Sequence, residues 1–306
     1  MGIQILLHLT VMLVLAPLLF GIIGKTKALF AGRWGAPLFQ PYYDIIKFFK
    51  KGNVYSTTTT WIFQVAPLVY LATILVSSLL IPFGGLKAPV YFWGDFILFI
   101  YISGLSRYFI IIGALDTGSS FEGMGASREA TFSCLAEIVL ALDFIILAIL
   151  SKQLILSEMV GGTILSSWPL FGPVLLLVGL SYFLVLLVES ARIPIDDPTT
   201  HLELTMIHEV MFLDHSGWDL ACVSYASMMK FFVLGSLFVN ILIPFHNLSA
   251  ILQTVVFGVG MIGLAIIVGI VESCIARLRL NRIPELIIGA FVLALVGLLI
   301  ILIKGV

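Results

Sequence analysis

Long apolar runs separated by short polar stretches set the pattern of this chain. Eight of them, at about 2–24, 62–83, 93–113, 130–151, 168–189, 220–243, 250–273 and 286–303, are each long enough to cross a bilayer as an α-helix. The pattern predicts an all-α integral membrane protein, a single transmembrane domain over residues 1–306 with about eight helices and polar loops between them.

Three connections carry patterns of their own. In 31–52, Pro37 and Pro41 break the backbone ahead of a short helix. Tyr42, Ile45, Ile46 and Phe49 fall on one face of it, and Asp44, Lys47, Lys50 and Lys51 on the other. That is an amphipathic helix at a membrane surface, serving either as an anchor on anionic lipid or as a lid on a lipid-accessible cleft. The second connection, 115–129, is glycine-rich and predicts a tight, docked loop. Its Gly123-x-Gly125 lacks the preceding strand, the third glycine and the Lys-Ser/Thr of a phosphate loop. The third, 189–219, is acidic and holds Glu189, Asp196, Asp197, His201, Glu203, His208 and Glu209. Pro194 and Pro198 keep its first half irregular. Thr200-x-x-Glu203 then offers a capping box, and Leu202, Met206, Val210 and Leu213 recur at helical spacing, which predicts a helix.

Composition agrees with the pattern and narrows it. Hydrophobic residues make up 60% of the chain and charged residues 11%, with a mean hydropathy of +1.16. A soluble domain of this length cannot hide so much apolar surface. A net charge of −1 suggests no nucleic-acid partner. Cys134, Cys222 and Cys274 lie far apart in apolar runs and form neither a disulfide framework nor a metal motif. The first 24 residues lack a basic n-region and a cleavage site, so they read as a retained helix.

Charge also orients the chain. The connections after spans 1, 3, 5 and 7 hold Lys25, Lys27, Arg33, Lys47, Lys50, Lys51, Arg128, Arg192, Arg277, Arg279 and Arg282, whereas those after spans 2, 4 and 6 hold only Lys87 and Lys152. That asymmetry puts the former, and the acidic stretch with them, in the cytoplasm, with both termini outside the inner membrane.

Several ionisable residues lie within the spans: Glu137 and Asp143 in the fourth, Lys230 near the middle of the sixth, Glu272 closing the seventh, and Arg107 in the third. Arg107 is near enough to the interface for snorkelling to explain it. A charge near the bilayer centre costs about 3 kcal/mol, so the deeper ones pair or line a wet path, and an ion path is the favoured reading. His201, His208 and His215 are spaced by sevens, about 10 Å apart on a helix, too far to share a metal. Solvated or hydrogen-bonded imidazoles are expected, and no residue of this chain is expected to ligate a metal or cofactor.

Glu189-x-x-Arg192-x-Pro194-x-Asp196 with its acidic loop, and Arg33-x-Gly35-x-Pro37 followed by Gln40-Pro41 and Asp44-Ile45-Ile46-Lys47, resemble the membrane subunit of respiratory complex I that borders the quinone site. Leu115-Asp116-Thr117-Gly118-Ser119, Gly125-Ala126-Ser127-Arg128-Glu129-Ala130, Lys230 and Ala276-Arg277-Leu278-Arg279-Leu280 look closer still to the corresponding subunit of group 4 membrane-bound nickel–iron hydrogenases, the formate hydrogenlyase subunit 4 or hydrogenase-4 component C family. The chain departs from the complex I pattern at Thr199, Thr200 and His201, where further acidic residues would follow.

The resemblance implies an eight-helix subunit with a cytoplasmic cleft, docked to a hydrogenase-like large subunit and an iron–sulfur small subunit and flanked by antiporter-like membrane subunits. Those partners would carry the iron–sulfur clusters and, in part of the family, a nickel–iron centre. It places Glu137 where the family has a buried glutamate in the ion path. The expected function is a membrane coupling subunit, not catalytic by itself, that links electron transfer to proton or sodium translocation. Its ion path would use Glu137, Asp143, Lys230, Glu189, Asp196, Asp197, Glu203 and Glu272, and its docking surface Arg33, Asp44, Arg128, Arg192, Arg277 and Arg279. The alternatives are a quinone-reactive NADH dehydrogenase-type membrane subunit and a stand-alone secondary ion transporter. A transporter of that kind would show an internal repeat with paired broken helices, and the two halves of this sequence place their charges differently.

Overall fold

The computed structural model describes residues 2–84, 86–196, 206–243 and 249–304. It is a multi-pass membrane protein, with eight helices long and apolar enough to span a bilayer among the described residues. In chain order the helices are α1 (Gly2–Phe30), α2 (Gln40–Phe49), α3 (Trp61–Ser78), α4 (Asp95–Asp116), α5 (Ser120–Ser151), α6 (Leu156–Met159), α7 (Gly162–Glu189), α8 (Gly217–Leu242), α9 (Ala250–Cys274) and α10 (Ile283–Lys304). The described residues contain no strand beyond an isolated bridge between Phe83 and Leu86.

Local sequence explains several of the helix ends. After α1 the chain turns at Gly32 and Gly35, both with positive φ, and α2 then starts with proline in its first turn. At the start of α3 the Thr60 side chain accepts from the Ile62 N–H at 3.3 Å. The Asp116 carboxylate, arriving from the end of α4, accepts from the backbone N–H groups of Thr60 and Phe63 at 2.7 and 3.3 Å. Within α7, Phe171 leaves helical geometry two residues before Pro173, which cannot donate to the carbonyl one turn back.

The glycine-rich connection is much shorter than expected. Only 117–119 remain outside helix, because α5 begins at Ser120 and runs 32 residues, roughly 48 Å at 1.5 Å per residue. Gly125 is therefore a helical residue, not a loop residue. A Cβ there would collide with Val210 and lie 3.1 Å from the Ile207 carbonyl oxygen, so glycine lets the acidic connection pack directly on α5.

The expected helix beyond residue 205 is a single 3-10 turn, Glu209–Phe212. Met206, just before the turn, and Val210, within it, are buried, and Leu213 is exposed. Thr200-x-x-Glu203, Asp197 and His201 lie outside the described residues.

α8 is the hub, packed against α1, α2, α3, α7 and α9. A helix surrounded in this way keeps polar side chains out of lipid, and α8 is where Lys230 and Asn240 are buried. α4 and α5 pack on each other, and α5, α7 and α10 form a second group.

The spans alternate in direction, so the connections gather at two ends. At one end Asn53 meets Trp218, and the Leu278 N–H reaches the Pro194 carbonyl at 2.8 Å. At the other, the Gly94 N–H reaches the Leu154 carbonyl and Asn240 reaches Pro82.

Candidate functional site

Four helices bring charged side chains together at one level of the bundle. Arg107 from α4 forms ion pairs with both Glu137 of α5 and Glu189 at the end of α7. The other Glu189 oxygen, Oε2, lies 2.9 Å from Lys230 Nζ of α8. Glu137, Arg107, Glu189 and Lys230 thus form a run of alternating sign that sums to zero. Arg107, Glu189 and Lys230 are all buried, whereas the Glu137 side chain keeps about a third of its surface (32%) exposed. Ion pairs this well enclosed hold the helices in register, because removing one member strands a charge in a medium that cannot solvate it.

Backbone design supports the run. A Cβ at Gly104 of α4 would sit 3.1 Å from Glu137 Oε1, so glycine at that position leaves room for the carboxylate beside Arg107.

The loop-bearing end connects to this run through a second layer. Asp196 Oδ2 accepts from the backbone N–H groups of Ile207 and His208 at 3.0 and 2.9 Å, while its Oδ1 pairs with Arg277 at 2.8 Å. Arg128 Nη1 donates to the Met206 carbonyl at 2.8 Å. His208 Nδ1 lies 3.8 Å from Glu129 Oε2. A cavity of about 10 Å³ separates the layers, bordered by Glu129, Ser133, Glu189, Asp196 and Ile207.

A third group is separate. Glu272 of α9 takes Lys27 at 2.9 Å and Arg192 at 3.3 Å, and the Arg192 guanidinium stacks 4.0 Å over the Phe20 ring.

Between α1, α2 and α8 lies a cleft of about 430 Å³, lined by Phe20, Pro37, Gln40, Ile45, Phe48 and Met228 among others. α2 is held over it by the Tyr42 hydroxyl, which donates to the Val14 carbonyl of α1.

Several sequence expectations shift. Arg107 does not snorkel; it is the central cation of the buried run. Lys230, expected to pair or to line a wet path, pairs with Glu189. Asp143 is buried on α5 with Ser181 at 3.1 Å and makes no ion pair with the run. Glu272 belongs to the Lys27–Arg192 group.

The candidate docking residues divide. Arg192 is buried with its charge engaged inside the chain, Asp44 pairs with Lys47 within α2, and Arg128 and Arg277 hold the acidic connection. Arg33 and Arg279 are exposed.

His208 and His215 are buried, not solvated. The His215 ring stacks on Phe63 with 3.9 Å between centroids, and burial holds its pKa down to about 4. Arg107 and Glu129 were the residues sequence reasoning undervalued. Their signals were a cation inside an apolar run and good helix formers after Gly125. Among the described residues no group of three or more His, Cys, Asp and Glu is placed to hold a metal ion.

Residues 3–303 match the family model described as NADH dehydrogenase. The chain is 32% identical to hydrogenase-4 component C of Escherichia coli (strain K12), covering 88% of this chain and 86% of that protein. It is 27% identical to formate hydrogenlyase subunit 4 of the same strain, over 94% of each. It is 29% identical to a subunit of the NADH-quinone oxidoreductase of Rickettsia peacockii (strain Rustic), over 57% of this chain and 52% of that one. Its fold matches a chain from the structure of the membrane-bound sulfane sulfur reductase, an archaeal respiratory membrane complex, with a TM-score of 0.84 and 98% of each chain covered at 21% identity.

Proposed function

The chain belongs to the NADH dehydrogenase family, and from that premise we propose that it is the membrane coupling subunit of a complex I-like, group 4 hydrogenase-like complex. It docks cytoplasmic redox subunits that carry iron–sulfur clusters and a hydrogenase-like large subunit. It couples their electron transfer to movement of a proton or sodium ion, beside antiporter-like membrane subunits. The carrying observation is the alternating run Glu137–Arg107–Glu189–Lys230 spread over four helices.

The geometry suggests how such a run responds to a partner. Glu189 balances two cations, so a proton placed on it leaves Lys230 without its carboxylate and Arg107 with Glu137 alone. Arg107 then moves its weight to Glu137, and the charge imbalance passes from α7 to α5. Each pKa unit of such coupling corresponds to about 1.4 kcal/mol, enough for a single charge change at the loop-bearing end to matter. Asp196, Glu129 and the 10 Å³ cavity link that end to the run. Asp197 and Glu203 extend the same acidic connection. This chain transfers no electrons in the proposal; it moves protons or ions and holds its partners.

The basic asymmetry supports placing the loop-bearing end in the cytoplasm of an inner membrane, with both termini outside. In a background where Cys134 and Cys274 are serine, a cysteine at Ser56 then resists an impermeant reagent added to intact cells, and one at Lys87 reacts. The opposite pattern reverses the orientation.

A second reading has one observation in its favour. The cleft of about 430 Å³ beneath α2 has the size and apolar lining for a quinone or lipid tail. Ile45→Trp would obstruct it, and quinone-dependent turnover would fall if a quinone enters there.

Purification of the tagged chain from solubilised membranes tests the main reading. Iron-containing subunits that co-elute, with metal analysis of the intact complex, support it. A chain that elutes alone supports a stand-alone transporter.

A further inference from the structure

His8 has no place in the charged run, yet it is 1% exposed inside α1. It lies six residues from the start of that helix, at the end of the bundle opposite the acidic connection. Its Nε2 is 2.9 Å from the Ser78 carbonyl oxygen of α3. A carbonyl oxygen only accepts, so Nε2 carries the hydrogen and Nδ1 bears the lone pair. Nδ1 is buried and has no hydrogen-bond partner. The ring is stacked on Phe83, 3.8 Å between centroids and 10° between planes. A basic nitrogen left unmet in an apolar span costs free energy, and packing alone gives no reason for it.

A second observation points to the same end. A cavity of about 20 Å³ touches Arg107, Glu189 and Lys230 and also Ser77, Ser103 and Ser106. That is room for one water with several polar partners. The three hydroxyls donate to carbonyls of their own helices, Ser77 to Thr73 at 2.8 Å, Ser103 to Phe99 at 2.9 Å and Ser106 to Ser103 at 2.6 Å. Each keeps lone pairs with which to accept from water. Ser77 immediately precedes Ser78, the residue that anchors His8. Ser77, which borders the cavity, and Ser78, whose carbonyl accepts from His8, are thus neighbours at the far end of α3.

We propose that His8 is the outer terminus of a proton exit from the charged run, a path perpendicular to the membrane within this one chain. A water in the cavity takes a proton from protonated Glu189 and passes one on along Ser77 to Nδ1 of His8. The imidazolium so formed releases its proton to the outer aqueous phase and returns to the neutral ring. One proton crosses and no other bond changes. The carried species is a proton and not an alkali cation, because a space of about 20 Å³ has room for a single water and none for a hydrated ion. The proposal rests on the ion-coupling function above.

The test uses the intact complex reconstituted in vesicles, with proton movement and electron turnover measured together. His8→Phe keeps a ring against Phe83 and removes both nitrogens. Protons moved per electron are expected to fall roughly tenfold, the effect of a barrier raised by about 1.4 kcal/mol, while electron turnover and subunit content persist. Ser103→Val, which intrudes on the cavity, gives the same result and decides the matter if the His8 variant does not assemble. Unchanged protons per electron in whichever variant assembles overturn the exit. Glu189→Gln is measured alongside: if it lowers transport while the His8 and Ser103 variants do not, the exit alone is wrong. If Glu189→Gln also pumps normally, the ion-coupling reading itself fails. Transport that stops when sodium is replaced by choline overturns the choice of ion.

Discussion

Lys230 of α8 and Glu189 of α7 face each other across 2.9 Å, both buried, in the part of the bundle where α8 has protein on every side. Arg107 closes on the same carboxylate from α4. Within the run Glu189 is thus the anion that holds two cations, and the consequences of removing any member can be ordered.

Lys230→Met leaves Glu189 with a single cation. The expected cost is about 3 kcal/mol, at the lower end for breaking a buried pair because Arg107 remains. Thermal unfolding of the purified complex measures it. The double variant Lys230→Met with Glu189→Gln is expected to regain most of the lost stability, since no charge is then stranded. Additive losses in the double variant would argue that the two residues do not interact.

Gly104→Ala separates packing from helix propensity. Alanine favours a helix by up to about 1 kcal/mol over glycine, so stability should hold or rise. The new Cβ would stand 3.1 Å from Glu137 Oε1 and push the carboxylate from Arg107. Ion transport per electron is expected to drop in Gly104→Ala and not in Gly258→Ala, where a Cβ meets nothing within 4 Å. Equal behaviour of the two variants would show that the glycine is not needed for the pair.

His215 makes stability depend on pH in a definite direction. Its pKa is held near 4 in the folded chain, against 6.5 when unfolded, because burial against Phe63 disfavours the cation. Between these values the unfolded chain binds more protons, so folding stability is full above about pH 6.5 and falls as pH drops towards 4. The group accounts for about 3 kcal/mol across that window. His215→Phe keeps the stacked ring and removes the titration, and melting temperatures from pH 7 to pH 4 should then decline less than in the parent. An identical decline would place the protonation elsewhere.

Arg192 and the exposed arginines should fail differently. Arg192→Ala leaves Glu272 with Lys27 alone and uncovers Phe20, so the expected result is a lower melting temperature with partners still bound. Arg33→Glu and Arg279→Glu reverse charge on the surface of the loop-bearing end and should release soluble subunits without loss of the membrane fold. Co-purification and melting together distinguish these outcomes.

The sequence made the spans legible because an apolar run of some twenty residues has few alternatives in lipid. It made the amphipathic α2 legible through the separation of Ile45 and Ile46 from Lys47 and Lys50. The start of α5 was hidden because Gly123 and Gly125 look like loop residues. Only the closeness of Val210 and Ile207 explains a glycine inside that helix. Glu137, Glu189 and Lys230 could be picked out as polar residues in or beside apolar runs, but their pairing could not. Periodicity gives depth along one helix, whereas Arg107 and Glu189 are 82 residues apart and meet only when α4 and α7 are assembled. His8 gave no signal, since one imidazole in an apolar run is ordinary until its partners are seen.

Glu137→Gln tests the central claim most directly. The substitution is nearly isosteric and keeps an oxygen for Arg107, but an amide cannot take up or release a proton. In vesicles containing the intact complex, ions moved per electron should fall steeply while electron turnover persists, wholly or in part. A Glu137→Gln complex that pumps with the parent stoichiometry would contradict the account and leave Glu137 as a structural partner of Arg107.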